Sequence, residues 1–124
     1  MATPLAPELL EVYRRSARER EVRRREALER RRAEALELAT SAAHILTAEF
    51  GATGVWLYGS LAGVGTFHER SDIDLAVEGV SPECFWKAWA ALERLGGHID
   101  IDLADLQFAK ASLVAEIQEN GIRL

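Results

Sequence analysis

Two short stretches carry the residue types that could do chemistry. In Ser71-Asp72-Ile73-Asp74-Leu75-Ala76-Val77, carboxylates alternate with apolar residues. That is the period of a β-strand, so Asp72 and Asp74 share one face while Ile73 and Leu75 point into a core. Carboxylates this close repel, and one takes up a proton unless a cation lies between them. A hard divalent ion with oxygen ligands, Mg²⁺ above all, meets that need. Upstream, Leu57-Tyr58-Gly59-Ser60 reads as a strand end running into a turn. Gly59 lets backbone approach a ligand closely, and N–H groups at such a turn bind phosphate. A phosphate grip beside a metal-carboxylate pair suggests chemistry on a nucleoside triphosphate.

Ile99-Asp100-Ile101-Asp102-Leu103 reads as a further strand with two acids on one face. If it neighbours the Asp72–Asp74 strand, Asp100 or Asp102 completes a set of three carboxylates. A pair of Mg²⁺ ions about 3.5–4 Å apart needs several such anionic oxygens. Asp105 has the opposite parity and reads as a helix cap or surface residue.

Gly59-Ser60 after an apolar-aromatic run, followed by a spacer and Ser71-Asp72-Ile73-Asp74-Leu75-Ala76-Val77, resembles the signature of the nucleotidyltransferases that share the DNA polymerase beta palm. The size of the chain resembles the minimal nucleotidyltransferase (MNT) group. The resemblance covers residues 36–124 and implies an α/β (α+β) fold, a small mixed sheet flanked by helices. The family's third acid precedes Leu-x-Asp-Leu, which matches Asp102 in Asp102-Leu103-Ala104-Asp105-Leu106 and leaves Asp100 as the fallback.

By the same resemblance Asp72, Asp74 and Asp102 are the catalytic and metal-binding residues, and Gly59 and Ser60 hold the nucleotide. The implied reaction is Mg²⁺-dependent transfer of AMP from ATP to a hydroxyl of a partner protein, a tyrosine. The implied setting is that of an antitoxin paired with a helical HEPN-domain ribonuclease toxin. Two departures bear on activity more than on fold. The spacer between Gly59-Ser60 and Asp72 is one residue longer than the family's usual one. The Arg-Gly that follows Gly-Ser in the family is replaced by Leu61-Ala62-Gly63-Val64-Gly65, with Arg70 as a candidate substitute. The alternative reading is a weakly active or inactive module that neutralises a partner by direct contact.

The elements that must position these residues follow from the rest of the chain. Its 124 residues suffice for one domain with a core. Cys84 is the only cysteine, so no intrachain disulfide forms, and a reducing cytoplasm is the expected setting. No run is apolar and long enough for a membrane span. Residues 1–6 read as a frayed tail. From Pro7 to Phe50 nothing breaks a helix and Gly51 is a natural stop. Such a helix would be about 66 Å long, against roughly 30–35 Å for the globule, so it must project, bend or pack on another chain.

Residues 1–35 are therefore assigned to a helical arm and 36–124 to the nucleotidyltransferase domain. Residues 14–34 hold ten arginines and five glutamates, while the remainder has five basic residues against fifteen acidic ones. A basic arm on an acidic body follows. Glu19–Arg23, Glu21–Arg25 and Glu26–Arg30 have favourable spacing for ion pairs. The arm reads as a solvated helix, with a docking role for a partner or self-association as the alternative. RNA binding is disfavoured because no aromatic residues interleave with the arginines. Leu9, Val12 and Tyr13 form a small apolar patch. Leu36, Ala39, Ala43 and Leu46 should pack on the body, with Ala42, His44 and Ile45 beside them.

Downstream, Val55–Tyr58, Ile73–Val77 and Ile99–Leu103 read as strands. Ser81-Pro82 opens a helix that ends at Gly96-Gly97, a last helix covers Ala111–Glu119, and Ile122–Leu124 is extended. The Trp56, Trp86 and Trp89 side chains read as core or interface residues, and His98 as a strand-edge residue.

Overall fold

The computed structural model describes residues 6–124, so the expected N-terminal tail lies, but for Ala6, outside the described residues. Helix α1 is unbroken from Pro7 to Phe50. It ends as the sequence demands, with Gly51 at φ 72° and the Ala52 N–H donating to Leu46 O at 3.0 Å. Strands β1 (Gly54–Tyr58) and β2 (Ile73–Glu78), helix α2 (Pro82–Gly96), strand β3 (Ile101–Asp105), helix α3 (Ala111–Asn120) and strand β4 (Ile122–Arg123) follow, with a short 3₁₀ turn at Ser60–Ala62.

The four strands form one mixed sheet in the order β3-β2-β1-β4. β1 runs antiparallel to β2 and β4, whereas β2 and β3 are parallel. A parallel pair needs a crossover, and α2 supplies it. Pro82 starts α2 after an extended Ser81 whose hydroxyl makes no cap bond.

Alternation gives the sheet two unlike faces. Val55, Leu57, Ile73, Leu75, Val77, Ile101 and Leu103 are buried in the main core with Ala88 and Leu92 of α2 and five residues of α1. Those five are Ala35, Ala39, Ala42, Ala43 and Leu46. Four alanines let the α1 backbone sit close to the sheet. The opposite face carries Trp56, Tyr58, Asp74, Ala76, Asp102 and Ala104. Here α3 covers one end, where Trp56, Val114 and Ile117 line a hollow of about 350 Å³. Ile117 is buried but lies outside the main core. The other end of this face, with Tyr58, Asp74 and Asp102, is polar.

Some local expectations change. Leu36 is 38% exposed, and Ala35 takes the buried position instead. The third strand starts at Ile101, not Ile99, because the Ile99 N–H is engaged by Gly96 O at 3.2 Å in the turn leaving α2. It runs on to Asp105, whose Oδ1 accepts the Gln107 N–H at 3.0 Å. His98 belongs to that turn, with Nε2 3.2 Å from Glu34 of α1, rather than to a strand edge. Trp86 is 71% exposed, while Trp56 and Trp89 are half-buried.

Of the three expected ion pairs along α1, Glu21–Arg25 forms at 3.6 Å. Glu21 also meets Arg24 at 3.7 Å, and Glu11 meets Arg18 at 3.3 Å. Such exposed pairs contribute about 0–1 kcal/mol each. No side chain of α1 before Ala35 is fully buried, and Leu9, Val12 and Tyr13 are exposed, so the front of the helix projects.

The alanine-rich contact of α1 has a measurable consequence. Ala39→Leu should destabilise the chain by about 1–3 kcal/mol, because added methylenes have no space at a fully buried position. Ala33→Leu, at an exposed position, should stay within about 0.5 kcal/mol. Denaturant unfolding distinguishes the two.

Candidate functional site

The register of the sheet assembles the polar end. β1 pairs with β2 so that Tyr58 stands opposite Asp74, and β2 pairs with β3 so that Asp74 stands opposite Asp102. Tyr58, Asp74 and Asp102 thus form a row across three neighbouring strands, spaced by the inter-strand distance of about 4.8 Å. Asp72 lies just before β2, exposed, two residues from Asp74. Asp100 lies just before β3, exposed; its backbone carbonyl accepts the Ile73 N–H at 2.9 Å. The register therefore puts Asp102 rather than Asp100 across from Asp74.

Asp74 is half-buried, and its pKa is pushed up from 3.8 to about 6. Burial is the largest cause, followed by the charges of Asp102, Asp72 and Glu116. Tyr58 is pushed up to about 12 by burial and by Asp74, Asp102 and Glu116. Both shifts combine the same two causes, burial first and then the negative charge of neighbouring acids. Glu116, on α3, joins the three aspartates that motif reasoning singled out. Nothing in the local sequence of α3 marks it, because only the packing of α3 beside β1 brings it there. Tyr58 was not singled out in the sequence, although its place before Gly59 at the end of a strand is a signal that could have found it.

The Gly59-Ser60 turn closes against these carboxylates. Gly59 has φ 73° and ψ −154°, a conformation open essentially to glycine alone. A Cβ there would also collide with Asp74 Oδ2. Gly59 O accepts N–H groups from Ala62 and Val64 at 3.1 Å, and Ser60 O accepts that of Gly63 at 3.1 Å. The turn is thus tied through its carbonyls, and the first N–H groups of such a turn have no partner within it. Ser60 is half-buried beside them. Of the motif residues, Gly59, Asp74 and Asp102 are brought into one cluster with Asp72 at its rim. Arg70 is exposed in the loop before Asp72, and its N–H donates to His68 Nδ1 at 3.2 Å.

As the side chains stand, no three His, Cys, Asp or Glu residues among the described ones are close enough to clasp an ion. The donor set nevertheless fits a hard divalent cation. It is all oxygen, Asp74 is destabilised as an anion by its neighbours, and Asp72 and Asp102 are exposed enough to turn toward a charge.

The raised pKa of Asp74 fixes the sign of a pH effect. Below pH 3.8 the group is protonated both folded and unfolded and contributes nothing. Between 3.8 and about 6 the folded chain holds the proton more tightly, so stability falls as pH rises. Above that the penalty is complete, and for a half-exposed group it is about 1–2 kcal/mol after allowance for solvent screening. Asp74→Asn should therefore stabilise the metal-free chain by that amount at pH 7.5 and leave it unchanged at pH 3.5. Millimolar Mg²⁺ should stabilise the wild type but not the variant. Urea unfolding with EDTA or Mg²⁺ reads both. Gly59→Ala should cost about 1–3 kcal/mol through backbone strain alone and displace Asp74, a loss visible in the same measurement.

Comparison with known proteins places this geometry. The family model for polymerase beta, nucleotidyltransferase, matches residues 41–124. No curated protein matches the chain. Among solved structures, a putative minimal nucleotidyltransferase superposes with a TM-score of 0.52 at 28% identity, covering 80% of this chain and 94% of that one. A toxin–antitoxin crystallised with AMP-PNP gives 0.55 at 26% identity, covering 67% and 69%. A tri-AMPylated HEPN toxin in complex with MNT antitoxin, from Shewanella oneidensis, gives 0.54 at 20% identity, covering 72% and 70%, a likeness of fold. With the family model matched over residues 41–124, a stretch that holds the Gly-Ser turn and the in-register aspartates, the chain belongs to the polymerase beta nucleotidyltransferase family.

Proposed function

We propose that the protein transfers a nucleoside monophosphate, AMP from ATP, to a hydroxyl group on a partner protein, a tyrosine of a HEPN-type toxin. The observation that carries this reading is the row of carboxylates opposite one another on β2 and β3, closed by a glycine whose missing side chain makes room for Asp74 Oδ2. The solved relatives support it, since they include a toxin–antitoxin with AMP-PNP and an AMPylated HEPN toxin in complex with MNT antitoxin.

In this reading Asp72 and Asp74 would hold the Mg²⁺ that accompanies the triphosphate, and Asp102 would share a second ion with them. When bound, the metal supplies neutralisation of the phosphate charge and lowers the pKa of a coordinated hydroxyl. The backbone N–H groups of the Gly59-Ser60 turn and the Ser60 hydroxyl would fix the β- and γ-phosphates. Asp102, the most exposed strand acid of the row, would accept the proton of the attacking hydroxyl. The oxygen of that hydroxyl forms a bond to the α-phosphorus as the bond from phosphorus to the bridging oxygen breaks, and pyrophosphate leaves. Asp74 begins half-buried and surrounded by like charge, so the site would take the triphosphate as its Mg²⁺ complex, whose metal offsets part of the phosphate charge, more readily than as the free anion.

A second reading has its own observation. Leu9, Val12 and Tyr13 are 46%, 53% and 62% exposed on the projecting front of α1, an apolar patch suited to contact with a partner. In that reading the protein neutralises the partner by occlusion alone.

The two separate cleanly. With labelled ATP, Mg²⁺ and the HEPN-type partner, label should pass to the partner. Asp74→Asn and Asp102→Asn should each slow transfer by about a hundredfold, equivalent to roughly 3 kcal/mol of charge stabilisation. Label transfer that survives both substitutions contradicts the catalytic reading. Loss of neutralisation in Val12→Asp with transfer intact favours the second.

A further inference from the structure

Arg31 belongs to the stretch that the sequence marks as a solvated arm, yet its guanidinium is only partly exposed. Nη2 donates to the backbone carbonyl of Ser71 at 3.1 Å. Ser71 is itself tightly held. It is buried, its Oγ accepts the His68 N–H at 2.9 Å, and its own N–H donates to His68 O at 3.0 Å. The next residue is Asp72. The residue after that, Ile73, donates to Asp100 O at 2.9 Å. Asp72 therefore sits between two anchored peptides, one tied to α1 and the other to the approach to β3.

The surroundings reinforce this brace. The Arg32 guanidinium carbon is 6.0 Å from the ring centre of the buried Phe67. Leu28 packs against the core from the same part of the helix. A groove of about 290 Å³ between α1 and the loop is lined by Arg24, Leu28, Arg31, His68 and Glu69 among others. Arg31 Nε is the one buried side-chain nitrogen or oxygen without a hydrogen-bond partner among the described residues. The hydrogen bond to the Ser71 carbonyl is the one that the Arg31 guanidinium makes among the described residues. Residues 63–66 and 68–70 of the loop it holds are exposed, and two of them, Gly63 and Gly65, are glycines at positive φ.

We propose that Arg31 is a positioning residue for the nucleotidyl-transfer site. It pins the Ser71 carbonyl to α1, fixes the backbone at Asp72, and so sets that carboxylate within reach of a cation held by Asp74. It acts through the peptide and does not touch the nucleotide. The inference rests on the reading of Asp72 as a metal-binding residue, and it makes the arginine-rich helix part of the site's scaffold rather than an appendage.

The test uses the full chain with Arg31→Met, which keeps the apolar stem, Arg31→Lys, which keeps one donor, and Arg23→Ala as an exposed control. Amide hydrogen exchange at Ser71 and Ile73 should speed up by about tenfold in Arg31→Met, while Leu57 and Leu75 in the sheet centre keep their protection. The Mg²⁺ concentration for half-maximal label transfer should rise by about tenfold, as for other outer partners of metal ligands. Arg31→Lys should recover most of both effects, and Arg23→Ala should match the wild type. Unchanged exchange at Ser71 and Ile73 overturns the proposal. So does a uniform loss of protection across the sheet, which would make Arg31 a general structural residue. A wild type that transfers no label counts against the transferase reading instead, and the exchange measurement still decides whether Arg31 holds the Asp72 peptide.

Discussion

The structure depends on an electrostatic misfit, a carboxylate placed where a carboxylate is unwelcome. Asp74 is half-buried, faces Asp102 across two parallel strands, has Asp72 two residues away, and is shadowed by Glu116 from α3. Burial and three like charges all favour its neutral form. A sheet built for stability alone would carry an apolar residue there, as the same strands do on their other face. The fold tolerates the misfit because that other face is well made. Four alanines of α1 and the aliphatic residues of β1, β2, β3 and α2 form a continuous core. The placement of excess negative charge is thus borne by packing one strand-thickness away.

Glycine 59 shows how closely the turn and the carboxylate are fitted. Its positive φ and the place of Asp74 Oδ2, where a Cβ would stand, are independent reasons for the same residue. The turn that would meet the triphosphate and the acid that would meet the metal are thus packed against each other with no room for a side chain between them. Arg31 ties a third part into this unit. The helix that looks detachable in the sequence reaches the peptide before Asp72.

Much of this was legible in the sequence because it rests on local periodicity. The alternation in Ile73–Val77 showed which face Asp74 takes, and Gly59-Ser60 marked the turn at the end of β1, though not the positive φ that Gly59 adopts there. The helix Pro7–Phe50 and its Gly51 stop followed from the absence of breakers. What was not legible depends on tertiary placement. The start of β3 shifted because the exit turn of α2 engages the Ile99 N–H. Leu36 lost its place to Ala35 because close approach of helix to sheet favours the smaller side chain. Glu116 and Arg31 join the site from helices whose own patterns say nothing of it. The choice of Asp102 over Asp100 came from a family motif, and the register of β2 against β3 sets Asp102 directly across from Asp74.

The most direct test of the account is a carbon-13 NMR titration of the Asp74 carboxyl, with and without Mg²⁺. The account predicts a midpoint near pH 6 in the free protein. It predicts a clear downward displacement when the divalent ion is present, because the cation relieves the crowding among Asp74, Asp102 and Asp72. A midpoint close to 3.8 that Mg²⁺ leaves unmoved would contradict it. That result would mean the carboxylates are solvated surface groups and not the makings of a metal site.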